Sequence, residues 1–159
     1  MENAEKHGGD IDKLCIHGAS GGGWITMGSL ILLAREDEEK VAKIKLMVLT
    51  CPMLGDHVVE MKREEVEEWE KPMWPFRAND FDMHTTDRVT NKDDPLLYPG
   101  KLGLEEMKKM PKCVLQTSEF DHLRRDVHKV VPVMKEAGIY LNHMDGLLFG
   151  CPRFSTSSK

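Results

Sequence analysis

The chain has 159 residues, 40% of them apolar and 31% charged, with a formal net charge of −5, the composition of one globular domain able to bury a core. An acidic balance with scattered basic residues excludes the electrostatic footprint of a nucleic-acid binder. No run approaches the roughly 20 apolar residues that a membrane span needs, and Met1 to Asp10 is polar, without the apolar stretch of a signal peptide, so the expected location is cytoplasmic.

The first patterned segment, Leu14-Cys15-Ile16-His17, is a strand-like apolar run that leads into Gly18-Ala19-Ser20-Gly21-Gly22 and then into Trp24 to Arg35, long enough for a helix. Gly-x-Ser-x-Gly between a strand and a helix is the pattern of a nucleophile elbow, a strained turn that pushes a serine hydroxyl out at the end of a sheet. Gly18 and Gly22 are expected to lack side chains so that strand and helix can approach. Glycine-rich turns after strands also bind phosphates, but neither Gly-Lys-Ser/Thr nor Gly-x-Gly-x-x-Gly stands in register here, which disfavours nucleotide binding.

Glu36 to Lys40 reads as a charged turn, and Ile44 to Thr50 as a second strand that ends at Cys51-Pro52. Strand, helix, strand implies parallel pairing through a crossover. His57 to Lys71 is charged and helix-like, and Trp74 to Asn91 is turn-rich; together they make an insertion at about 55–93 with the character of a lid or connector. After Asp94-Pro95-Leu96, Leu104 to Met110 forms a short helix and Lys112 to Thr117 a third strand, whose end carries Ser118-Glu119-Phe120-Asp121. From about His122 to Ala137, Leu123, Val127, Val130, Val131 and Met134 recur at helical spacing; Pro132 should bend that helix and Gly138 stop it. Ile139 to Met144 is the fourth strand, and Asp145 to Gly150 leads into a polar tail.

This alternation defines an α/β fold, a parallel sheet of about four strands with flanking helices, in a single domain over 1–159. In such sheets reactive residues collect beyond the carboxyl ends of the strands, where Ser20 and Asp121 both fall. Asp121 has a second reading, because an aspartate before a helix is also a common N-cap. Cys15, Cys51, Cys113 and Cys151 show no Cys-x-x-Cys spacing and read as buried free thiols. His122 and His128, six apart, fall on different helix faces, so no metal site is expected.

Three segments together resemble the α/β-hydrolase superfamily, and within it the hormone-sensitive-lipase-like carboxylesterases: Gly9 to Gly22, Asp94-Pro95-Leu96, and Glu119-Phe120-Asp121-His122-Leu123-Arg124-Arg125-Asp126. The likeness spans about residues 8 to 151. It implies that Ser20 is the nucleophile, Asp121 the acid that orients an imidazole, and the Gly21 amide one oxyanion-hole donor. The implied reaction is attack on a small acyl ester, formation of an acyl-enzyme and its hydrolysis by water, with no organic cofactor.

The chain departs from that family in two places. Where the family has its histidine, the stretch Gly146-Leu147-Leu148-Phe149-Gly150 offers Phe149, which cannot accept the serine proton. His143 is the nearest histidine, inside the preceding strand, where a packed or hydrogen-bonded role is the alternative. The family's His-Gly-Gly oxyanion loop lies on an earlier strand, and His7-Gly8-Gly9 is too near the elbow to replace it. The resemblance therefore covers the second half of the fold, which implies either a serine hydrolase of impaired turnover or an inactive remnant that binds. The strand from Lys13 to His17 becomes an exposed sheet edge, through which self-association into a homo-oligomer is expected.

Overall fold

Four parallel strands lie side by side in chain order in a computed structural model that describes residues 3–55, 93–118, 121 and 123–146. They are β1 (Cys15–Ala19), β2 (Leu46–Thr50), β3 (Lys112–Ser118) and β4 (Tyr140–Gly146). The register sets Ile16, Met47 and Cys113 on one row and Gly18, Leu49 and Leu115 on the next. A shift between Cys113 and Val114 brings β4 into line, with Leu115 opposite His143 and Thr117 opposite Asp145. The first and second expected strands thus begin one or two residues later than the sequence suggests, and the fourth runs on to Gly146.

Among the described residues the α-helices are α1 (Gly21–Glu36), α2 (Glu38–Ala42), α3 (Leu104–Met107) and α4 (Arg124–Glu136). The residues expected to form a charged turn after α1 instead open α2. Asp37 is the reason: its extended backbone ends α1, and its carboxylate accepts the Lys40 amide at 3.3 Å as the cap of α2. Asp37 also lies beside the Lys40 ammonium, which holds its carboxyl below the usual range. Pro132 sits exposed within α4, and the helix continues through it to Glu136.

One face of the sheet carries the core. Met47, Leu49, Cys113 and Leu115 are fully buried there against Met27, Leu30 and Ile31 of α1 and Val127, Val130 and Met134 of α4, in a single apolar cluster. Each of these side chains contributes roughly 1.5–3 kcal/mol by leaving water. The alternation buried, half-buried, buried along β2 and β3 follows directly, because successive side chains point to opposite faces. The second face, among the described residues, presents Cys15 and His17 exposed and Leu46, Val48 and Val114 half-buried. All-parallel sheets are ordinarily covered on both faces.

Of the expected buried thiols, only Cys113 is buried; Cys51 is half-buried and Cys15 is exposed, because it falls on the second face at the edge strand. All three are free, and Cys151 lies outside the described residues, as do residues 56–92 of the insertion expected at about 55–93. No described helix is long and apolar enough to cross a membrane.

Candidate active site

Ser20 is the single residue between β1 and α1, with φ 53° and ψ −123°. For a residue with a Cβ this left-handed φ costs on the order of 1–3 kcal/mol and survives only where neighbours over-determine it. Three backbone bonds do so: the Ser20 amide donates to the Thr50 carbonyl at 2.9 Å, and its own carbonyl accepts from Gly23 at 3.0 Å and Met53 at 3.1 Å. The side chain is exposed and makes no capping bond to the helix it precedes. Its hydroxyl therefore stands at the amino terminus of α1, where the first helical amides lack intrahelical partners and the helix dipole favours negative charge. Gly21 is the first residue of that helix, so its amide is one of these donors.

The glycines around Ser20 divide differently from expectation. A Cβ on Gly18 would run into the Gly22 carbonyl and come to 2.5 Å from the Thr26 hydroxyl, and one on Gly23 would come to 2.6 Å from Pro52 Cβ. A Cβ on Gly22 would meet nothing within 4 Å. The required bare positions are thus Gly18 and Gly23, and Gly22 matters through its carbonyl.

Asp121 follows β3, and because the strands are parallel it lies at the same end of the sheet as Ser20, with β2 between them. Its Oδ1 accepts the Leu123 amide at 3.0 Å, while its carbonyl accepts the Arg124 amide at 3.1 Å. The N-cap reading is not realised as such, because the cap position of α4 is Leu123, which makes no side-chain cap bond; one Asp121 carboxylate oxygen instead closes the turn just ahead of it, which holds the side chain in place at the strand end. Phe149 lies outside the described residues.

Between Ser20 and Asp121 stands Cys51, a position the motif left out. It leads out of β2 with φ 43°, and it and Ser20 are the two non-glycine residues at positive φ among those described. Its amide donates to the Gln116 carbonyl at 2.7 Å. Burial pushes its thiol up to about 12, and a hydrogen bond to the Asp121 carboxylate acts in the same direction. No sequence signal announced that backbone conformation: a residue before proline, as Cys51 is before Pro52, is biased toward extended backbone at negative φ.

His143 does not reach toward Ser20. Thr117, buried on β3, donates its one hydroxyl proton to Asp145 Oδ1 at 2.8 Å, so its oxygen accepts from His143 Nε2–H at 2.6 Å. Arg124 pairs with the second Asp145 oxygen. Burial depresses the imidazole below its ordinary value against the pull of Asp145, and His128, whose ring packs edge-on at 5.6 Å, adds to the depression. Burial would raise Asp145, but the Thr117 hydroxyl and Arg124 outweigh it and hold the carboxyl below its usual range. Of the two roles open to His143, the hydrogen-bonded one is realised. His7-Gly8-Gly9 likewise belongs to the turn before β1, where Gly8 takes φ 74° and the Gly9 amide bonds Ala4. Among the described residues no cluster of His, Cys, Asp or Glu could hold a metal ion.

A family model for the alpha/beta hydrolase fold matches residues 1–145, which takes in β1 to β3 and nearly all of β4. The chain belongs to that family. Among solved α/β hydrolases, esterase Est22 superposes with a TM-score of 0.73 at 21% identity, over 91% of this chain and 42% of that one. Carboxyl esterase 2 of the mycorrhizal fungus Tuber melanosporum gives 0.68 at 17% identity, over 90% and 46%. Brefeldin A esterase, a bacterial homologue of human hormone-sensitive lipase, gives 0.69 at 18% identity, over 92% and 42%. Identities this low establish a shared fold, and the α/β-hydrolase chain here spans less than half the length of each of these proteins. Comparison with curated protein sequences finds no match.

Proposed function

We propose that this chain carries the nucleophile and the acid of a carboxylic-ester hydrolase. The observation that supports this most is the conformation of Ser20: a left-handed φ between strand and helix, with the hydroxyl not used as a helix cap. Ser20 attacks the carbonyl carbon of a small acyl ester, the alcohol leaves, and water releases the acid from the acyl-enzyme. The Gly21 amide donates to the oxygen on which negative charge develops. Asp121 orients and stabilises the group that takes the serine proton.

That group is the weak point. By the resemblance, Phe149 falls where the family has its histidine, and His143 is engaged with Thr117. The Gly21 amide is the one oxyanion donor proposed among the described residues, and loss of a single donor costs about 10²–10³ in turnover. The chain alone is therefore a feeble esterase, detectable on activated aryl esters. A fluorophosphonate probe and p-nitrophenyl acetate test this: slow labelling and slow turnover, both absent in Ser20→Ala, are expected. Turnover that survives Ser20→Ala overturns the assignment.

A second reading, that of a binding remnant, draws on the edge position of β1. Its outer edge faces no other described strand, and Ile16 is only half-buried, a template for pairing with a second copy. Sedimentation velocity on wild type and Ile16→Lys tests it; a monomer at all concentrations rejects it.

A further inference from the structure

The segment leaving β2 is tied at four points over five residues. The Cys51 amide bonds Gln116 of β3 at 2.7 Å, the Met53 amide bonds the Ser20 carbonyl at 3.1 Å, and the Leu54 carbonyl accepts from Gly100 at 2.6 Å. The fourth tie differs in kind: the Gly55 amide donates to Asp126 Oδ2 at 2.9 Å. Three ties are backbone to backbone, and this one is made by a side chain.

Asp126 lies in the first turn of α4 and is 1% exposed, the one ionisable residue among the buried polar side chains described. Burying a carboxyl costs several kcal/mol unless hydrogen bonds compensate. The fit on the other side is close, because a Cβ on Gly55 would run into Asp126 Oδ1 and come to 2.9 Å from its Cγ. The same helix begins three residues after Asp121.

We infer that Asp126 is a positioning residue: its carboxyl clamps the segment after β2 to the helix that begins just after Asp121, and through Met53 fixes the strained backbone of Ser20. The inference rests on Ser20 and Asp121 being nucleophile and acid. A left-handed serine relaxes when its restraints loosen, and the segment that supplies the Met53 restraint is tied at Gly55 by the Asp126 side chain. Asp126 touches no substrate. Its effect is on the spacing of two groups that arrive from different strands.

The test uses the full chain with Asp126→Ala, Asp126→Asn, Gly55→Ala and the double variant Gly55→Ala/Asp126→Ala, and two readouts. The first is hydrogen exchange of the Met53 amide by NMR, with β2 amides as the internal control. The second is the rate of fluorophosphonate labelling of Ser20. Asp126→Ala should speed Met53 exchange about tenfold, as expected for loss of one hydrogen bond, leave β2 protected, and slow labelling by a similar factor. Asp126→Asn keeps an acceptor for Gly55 and should restore most of both. Gly55→Ala should resemble Asp126→Ala, and the double variant should be no worse than either single one, because removing the carboxyl makes room for the new methyl.

Met53 exchange unchanged in Asp126→Ala overturns the inference whatever the labelling shows. Where Asp126→Ala does not fold, Gly55→Ala decides by the same amide. A wild-type Ser20 that never labels removes the hydrolase reading alone, since the Met53 exchange still reports whether the clamp holds.

Discussion

The Cys51 thiol and the Asp121 carboxylate lie beside one another across the ends of β2 and β3, where the carboxylate acts with burial to raise the thiol, while the Leu123 amide holds the carboxylate from the helix side. The thiol is a donor here rather than a nucleophile, because burial and the neighbouring carboxylate push it up to about 12.

Thiol alkylation read peptide by peptide checks that pairing. At pH 8 exposed Cys15 should react readily, while Cys51 and Cys113, both pushed up to about 12, hold roughly a thousandfold less thiolate than an ordinary cysteine. Asp121→Asn should speed alkylation of Cys51 and leave Cys113 unchanged. Equal acceleration of both would mean general loosening and no specific bond.

The elbow glycines should respond unequally to alanine. Gly18→Ala and Gly23→Ala place a methyl against backbone or Pro52 and should destabilise by about 1–3 kcal/mol each. Gly22→Ala meets open space and, on a helical backbone, should be neutral or stabilising by up to about 1 kcal/mol. Urea denaturation of the three variants measures this, and a Gly22→Ala as damaging as Gly18→Ala contradicts the geometry.

Stability should fall in acid in two stages. The folded protein holds His143 below its ordinary value, so below about pH 6.5 the unfolded chain takes up a proton that the native state resists. Stability contributed by the neutral imidazole is therefore present above that pH and lost as pH falls toward the folded value. Asp145 is held below its ordinary value too, and its contribution goes below about pH 4. Melting temperatures from pH 8 to pH 3 should show both stages, and His143→Gln should flatten the first and spare the second.

Core and surface leucines offer a plain contrast. Leu115 on β3 is fully buried and Leu141 on β4 is 53% exposed. Leu115→Ala should cost roughly 2–5 kcal/mol and Leu141→Ala about 0.5 kcal/mol or less in chemical denaturation.

Much of the site could be read before folding. Glycines flanking a serine between an apolar run and a helix already state a turn, and apolar residues spaced as in Val127, Val130 and Met134 already state a helix and its buried stripe, since both are local consequences of backbone sterics and periodicity. The order of strands and helices set the parallel sheet, and with it the shared end for Ser20 and Asp121.

Contacts between residues far apart in sequence could not be read. Which glycine must be bare depends on where Thr26 and Pro52 come to rest; Cys51 pairs with Asp121 across 70 residues; His143 is claimed by Thr117 from another strand; and Asp126 meets Gly55 across a crossover. A hydrogen bond has no sequence period, so the chain's order determined the turn at Ser20 and the fold class. Only the packed sheet decided what each polar side chain bonds, because register and its shift between Cys113 and Val114 set which residues face one another.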